Sequence, residues 1–252
     1  MKVAISGAAG RMGRLVAEGV REEGDLELAA LYDPHHAGEE VAGLPVVADP
    51  ETLNGAEVVV EFTNPQVVMD NLREWHRLGL HAVVGTSGFT KERLEELRGF
   101  WGEGPPNCLV APNFSIGAVL MMRFAELAAP FFSAAEVIEL HHDAKADAPS
   151  GTALATARRI GEARPDQRRA VESEELVAGT RGGLVAGVPV HAVRLPGLVA
   201  HQEVILGDSG QTLTLRHDTT DRRSFLPGVL LAVRRIGDLP GVTVGLEGLL
   251  GV

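Results

Sequence analysis

The chain has 252 residues, 45% of them apolar, enough to bury the cores of one large or two modest domains and too apolar for an intrinsically disordered chain. Its 34 acidic residues against 23 Lys and Arg leave a net charge of -11, with no long basic run, which argues against nucleic acid as a partner. A single cysteine, Cys108, excludes an intrachain disulfide framework and a multi-Cys zinc site and fits a reducing, cytoplasmic setting; no apolar run nears the roughly 20 residues of a membrane-spanning helix, so no membrane partner is expected.

Through residue 112, short aliphatic runs alternate with helix-period segments, the pattern of βαβ units. Strands are expected at Lys2–Ser6, Leu26–Tyr32, Val58–Phe62, His81–Val84 and Cys108–Ala111, and helices at Arg11–Glu23, Val67–Leu78 and Lys91–Phe100. Val58-Val59-Val60 is apolar without alternation, as in a strand buried on both faces of a parallel sheet. From Asn113 the texture changes to a helical stretch ending at Leu127, a strand Glu136–Leu140, a helix from Gly151, and strands in Val188–Arg194 and Gln202–Leu206. Gln202–Leu206 and Gln211–His217 flank Gly207-Asp208-Ser209-Gly210, which predicts an antiparallel hairpin. Arg164–Gly187, polar and punctuated by Gly179, Gly182, Gly183 and Gly187, reads as an irregular or mobile excursion. The expected fold is α/β: a Rossmann-like, doubly wound parallel sheet over residues 1–112, then an α+β domain over 113–222 with a mixed or antiparallel sheet.

The first strand runs into Gly7-Ala8-Ala9-Gly10-Arg11-Met12-Gly13, which opens an amphipathic helix carrying Met12, Leu15, Val16 and Val20. Glycines there allow a tight turn and close approach of a pyrophosphate, whose charge the helix-start N–H groups hold. Asp33 ends the second strand 20 residues after Gly13, where a dinucleotide fold places the carboxylate that accepts from an adenosine ribose hydroxyl. An anion there disfavours a 2′-phosphate and favours NADH, although His35 and His36 offer partial compensation. Gly85-Thr86-Ser87-Gly88 and Pro112-Asn113-Phe114-Ser115 also leave carboxyl ends of strands, the edge where an open α/β sheet holds its ligand.

The densest polar block runs from Glu139 to Thr152. It contains adjacent His141 and His142, and Lys145, one of three lysines in the chain with Lys2 and Lys91. Ser150 after Pro149 is placed to cap a helix, and the N–H groups of Gly151 and Thr152 are placed to hold a carboxylate. Neighbouring histidines on a strand point to opposite faces, and no further ligand stands at a familiar spacing, so no metal is expected.

These motifs, with Glu61-Phe62-Thr63, Gly85-Thr86-Ser87-Gly88-Phe89, Pro112-Asn113-Phe114-Ser115-Ile116-Gly117 and Arg194-Leu195-Pro196-Gly197 followed by His217 and Arg222, resemble the dihydrodipicolinate (4-hydroxy-tetrahydrodipicolinate) reductase family over nearly the whole chain. The resemblance implies reduction of a cyclic unsaturated imine dicarboxylate, formed by loss of water, at ring C4 by NADH and/or NADPH on the diaminopimelate route to lysine. It implies His141 as proton donor and acceptor, Lys145 as second proton donor, and His142, Gly151 and Thr152, beside the Ser150 cap, as substrate-binding residues. It places Gly7, Ala8, Ala9, Gly10, Arg11, Met12, Asp33, Gly85, Thr86, Ser87, Ala111, Pro112, Asn113 and Phe114 against the cofactor, with Arg222 a weaker candidate at the domain junction or substrate. It further implies that the last segment, 223–252 with its helix Phe225–Ile236, returns to the nucleotide domain. Closure of the two domains over the substrate, and a homotetramer built through the second domain's sheet, complete that picture. Asp33 departs from members that carry the longer Glu, which leaves the NADH/NADPH ratio open, and Arg164–Gly187 is shorter than in some relatives. Two other readings are a different nicotinamide-dependent reductase of imino or amino acids and a non-catalytic nucleotide sensor.

Overall fold

The alternation of aliphatic strands and amphipathic helices builds a parallel sheet wound in both directions from its first strand, because β1 (Lys2–Ser6) pairs on one side with β2 (Glu27–Tyr32) and on the other with a strand met later in the chain. The computed structural model describes residues 1–164 and 174–252; residues 165–173, inside the polar Arg164–Gly187 segment, lie outside the described residues. The described chain divides into two units, Met1–Ser115 with Phe225–Gly251, and Ile116–Ser224.

In the first unit β3 (Glu40–Val41), β4 (Leu44–Val47), β5 (Val58–Glu61), β6 (His81–Val84) and β7 (Cys108–Val110) join β1 and β2. The order from edge to edge is Val242–Val244, then β7-β6-β5-β1-β2-β4-β3, and within this sheet, among the described residues, β3 and β4 form the one antiparallel pair. The doubly wound parallel sheet is the one the sequence predicts. The β3–β4 pair and the strand Val242–Val244 were not legible, being two to four residues long with no room for a period to show. Helices α1 (Arg11–Glu22), α2 (Val68–Arg77) and α3 (Lys91–Trp101) bury one face each; α1 turns Val16, Ala17 and Val20 inward and leaves Glu18 and Arg21 outside. On one face of the sheet Leu72, Trp75, Leu80 and Leu97 are fully buried, each worth about 1.5–3 kcal/mol of transfer free energy.

In the second unit α4 (Ile116–Ala128) and α5 (Gly151–Ala163) pack on a sheet of β8 (Ala134–His141), β9 (Gly183–Val185), β10 (Val188–Arg194), β11 (Ala200–Asp208) and β12 (Gln211–Thr219), ordered β12-β11-β8-β10-β9. β8 and β10 are parallel and the other pairs antiparallel, so the sheet is mixed. The predicted hairpin is present but tighter than expected: Asp208 pairs with Gln211 across Ser209-Gly210, with Gly210 at φ +77°. Helix α4 begins at Ile116 rather than Asn113, because the Asn113 side chain accepts from the Ser115 amide at 2.8 Å and holds a turn instead. The glycine-rich excursion also contains a strand, β9, which turns back on β10 through Ala186 at φ +49° and Gly187 at φ +82°. Both turn residues are left-handed, the conformation that matches strand twist, and an alanine in the first of them hid the hairpin from the sequence.

Candidate active site

In the first unit the glycine loop closes on backbone. Gly7 N–H and Ala8 N–H both donate to the Tyr32 carbonyl at 2.9 and 3.2 Å, and Gly10 N–H donates to the Gly7 carbonyl at 3.0 Å. A Cβ on Gly7 would lie 2.3 Å from the Phe62 carbonyl oxygen, and one on Gly13 would lie 2.1 Å from the Gly7 oxygen. Only glycine lets α1 start this close to the end of β1, leaving Ala9 and Gly10 partly or fully exposed and Arg11 and Met12 as the first helical residues. This is a cradle of the shape that receives a pyrophosphate, so the residues present fit a dinucleotide.

Asp33 follows β2 with a largely buried side chain whose Oδ1 accepts from the His35 amide at 3.2 Å and meets His36 Nδ1 at 2.9 Å. The Asp33 carboxylate raises the His36 pKa above its ordinary value, so the histidine next to the carboxylate is its partner before it is anything else's. Gly85 lies under the Phe62 ring, where a Cβ would come within 2.1 Å, and Ser87 beyond it is exposed. Thr86 is buried; its hydroxyl accepts from Thr63 N–H at 2.9 Å and donates to the Glu61 carbonyl at 3.3 Å, so it ties the ends of β5 and β6 together. Ala111 and Phe114 are buried, Pro112 is exposed, and the Phe114 ring stands 5.8 Å from that of Phe62. Beneath these loops sits Glu61, fully buried, accepting from Trp75 Nε1 at 2.9 Å, Asn71 Nδ2 at 3.3 Å and the Thr63 hydroxyl. Burial pushes its carboxyl above the ordinary range, against the pull of these neutral donors.

In the second unit, the end of β8 and the start of α5 bring the polar block together. Strand alternation puts Ala135, Val137, Glu139 and His141 on the face packed by the helices, and His142 follows beyond the strand end. His141 Nδ1 meets the Glu139 carboxylate at 2.5 Å. Burial lowers the His141 pKa from its ordinary value and Lys145 and Arg194 lower it further, while Glu139 opposes them. Lys145 is mostly buried and gives its ammonium to Asp147 at 2.7 and 2.8 Å, within the loop that leads to α5. Ser150 is the N-cap of α5: its Oγ accepts from Ala153 N–H at 3.2 Å and its own N–H donates to Glu139 at 3.1 Å, so it frames the site from inside. Gly151 opens the helix with nothing within 4 Å of where a Cβ would stand, and Thr152 follows it in the first turn. Arg222 is exposed at the start of the short turn Arg222–Phe225. Among the described residues no group of three or more His, Cys, Asp and Glu stands close enough to hold a metal.

Two residues the sequence reading left out of the site belong to it. Glu139 could have been found from its place two positions before His141 on a strand, which puts both side chains on one face. Arg194 donates to both Glu139 oxygens at 2.8 Å, and only the register pairing Arg194 with His141 reveals it. Glu61, quoted in a motif, had no role until its burial was visible.

Residues 1–114 match the family described as Dihydrodipicolinate reductase, N-terminus, and residues 117–250 the one described as Dihydrodipicolinate reductase, C-terminus. The chain is 51% identical over 254 residues to a 4-hydroxy-tetrahydrodipicolinate reductase of Mycobacterium marinum, covering 100% of both chains. It is 53% identical over 256 residues to one of Nocardia farcinica, covering 98% of this chain and 97% of the other. Among solved structures it is similar to a dipicolinate-bound dihydrodipicolinate reductase from Paenisporosarcina sp. TG-14, with TM-score 0.87, 37% identity and 98% of each chain covered.

Proposed function

The chain belongs to the dihydrodipicolinate reductase family, and from that premise we propose that it reduces 4-hydroxy-tetrahydrodipicolinate, by way of dihydrodipicolinate, to tetrahydrodipicolinate with NAD(P)H in lysine and diaminopimelate biosynthesis. The observation that carries the reading is the meeting of His141, the Lys145 loop and the start of α5 around one buried carboxylate. A nicotinamide, when bound, supplies hydride to ring C4. The conjugated imine then needs one proton to complete the reduction, and this chain's residues supply it.

His141 is the proton-handling group, because an imidazole titrates near neutrality and the burial that lowers its pKa makes its imidazolium a ready donor. Lys145 is a second group able to supply that one proton, and it brings a positive charge to the dicarboxylate. His142, Ser150, Gly151 and Thr152 hold a substrate carboxylate at the start of α5, where N–H groups and the helix dipole favour an anion. The loops Gly7–Met12, Gly85–Ser87 and Ala111–Phe114 hold the cofactor, with Asp33 on the adenosine ribose. That carboxylate supports ready use of NADH, since a 2′-phosphate would meet its charge. The same premise extends to a homotetramer working in the cytoplasm, which sedimentation at four chain masses tests. A complete set of proton donors beside an anion site favours a reductase over a silent nucleotide sensor.

Oxidation of NADH and NADPH is followed with substrate made in situ by a synthase from pyruvate and aspartate semialdehyde. Oxidation that depends on the synthase is expected; its absence with both coenzymes overturns the assignment. His141→Gln should lower kcat by about 10²–10⁴-fold with the Kd for NADH unchanged. Wild-type turnover in that variant would remove His141 from the chemistry.

A further inference from the structure

A carboxylate on the core-facing side of a strand, after Ala135 and Val137, is costly unless every lone pair is used. At Glu139, with no exposed surface, they all are. Oε1 accepts from Arg194 at 2.8 Å and from Ser150 N–H at 3.1 Å; Oε2 accepts from the other arm of the Arg194 fork at 2.8 Å and from His141 Nδ1 at 2.5 Å. The same guanidinium donates to the carbonyls of Asp147 at 2.6 Å and Lys145 at 3.3 Å. One buried charge therefore binds the imidazole, the loop that carries Lys145 and the first residues of α5 into a single frame.

An ionised carboxylate only accepts, so the hydrogen on the shared line belongs to His141 Nδ1. The atom left for exchange is Nε2. We propose that Glu139 is a positioning residue for the reduction: through His141 Nδ1 it fixes the ring and assigns the transferable proton to Nε2, while Arg194 holds the carboxylate in place. This rests on the proton-handling role of His141 proposed above. In the step itself Nε2–H breaks, the proton passes to the hydride-reduced ring, and the imidazolium becomes a neutral imidazole that keeps its Nδ1–H on Glu139. No charge moves onto Glu139. The charged groups facing His141 are Glu139 on its own strand, Arg194 on β10 and Lys145 in the loop that follows.

The test reads the tautomer directly. Long-range proton–nitrogen NMR of the wild-type protein, with the His141 signal identified by its loss in His141→Gln, should show neutral His141 carrying hydrogen on Nδ1. Glu139→Gln should shift the ring to the Nε2–H or a mixed tautomer and move the His141 limb of the kcat–pH profile to lower pH. It should also cut kcat by about 10- to 100-fold, with KM for NADH within about twofold. Glu139→Asp, which keeps the charge, should recover part of the rate. An Nε2–H tautomer in the wild type overturns the proposal even if Glu139→Gln does not fold. So does a Glu139→Gln protein with wild-type kcat, limb and tautomer. Loss of activity in His141→Gln alongside a wild-type-like Glu139→Gln defeats this inference alone; wild-type activity in His141→Gln defeats the premise beneath it.

Discussion

Glu61 and Glu139 are both fully buried, one in the doubly wound sheet and one in the mixed sheet, and they behave oppositely. Glu61 meets neutral donors, among them Trp75, Asn71 and the Thr63 hydroxyl, and burial wins: its carboxyl is pushed above the ordinary range. At Glu139 burial is again the largest influence, but the Arg194 guanidinium, His141 and the Ser150 amide together outweigh it and hold the carboxyl below that range. Burial alone does not decide the state of a carboxyl; the charge of its partners does. The neutral-donor site suits a brace under the loops that follow β5 and β6, and the ion-paired site suits proton chemistry.

The comparison breaks most severely at Arg194. Arg194→Met leaves Glu139 buried without its cation, and removing one partner of a buried pair costs about 3–5 kcal/mol. Hydrogen exchange at the amides of β8 and β10 should accelerate accordingly, and unchanged protection there would mean the guanidinium is not what holds the carboxylate. Adding Glu139→Gln to that background should recover part of the loss, because the stranded charge is then gone.

A smaller effect is expected at Trp75, whose indole N–H is one of the neutral donors to Glu61 and whose ring stands edge-on to Tyr32 at 5.3 Å. Trp75→Phe removes a donor from a buried acceptor, a loss of about 1–3 kcal/mol. Both tryptophans, Trp75 and Trp101, lie in the first unit, so the fluorescence of the remaining Trp101 in urea reports that unit. The Trp75 bond also pulls the Glu61 pKa down, so its loss should cost more as pH rises; a pH-independent loss would show that Glu61 stays neutral with or without it.

The two carboxylates also mark how far the sequence could be read. Period and punctuation located β1, α1 and Asp33, because each step of that motif lies within some 30 neighbouring residues and follows from local geometry. His141, Lys145 and Ser150 were visible as a dense polar run. What surrounds them was not: Arg194 reaches Glu139 from 55 positions away through a strand register that composition does not encode, and Trp75 reaches Glu61 from a helix whose inward face had no stated target. The β9–β10 turn was missed for a local reason, Ala186 taking a left-handed conformation expected of glycine or asparagine.

The gentlest test separates the two sites by the sign of a slope. Glu61 has a folded pKa above its ordinary 4.5, so its contribution to stability is fully present below the unfolded value and is lost as pH rises through the folded one. The stability of wild type minus that of Glu61→Gln should therefore fall as pH increases from about 4.5. Glu139 has a folded pKa below 4.5, so its contribution is present above the unfolded value and is lost as pH falls through the folded one. Wild type minus Glu139→Gln should then rise with pH over the acid range and level off near neutrality. Urea midpoints measured across that range decide the matter, and slopes of the same sign would mean that Arg194 and His141 do not distinguish the two carboxylates after all.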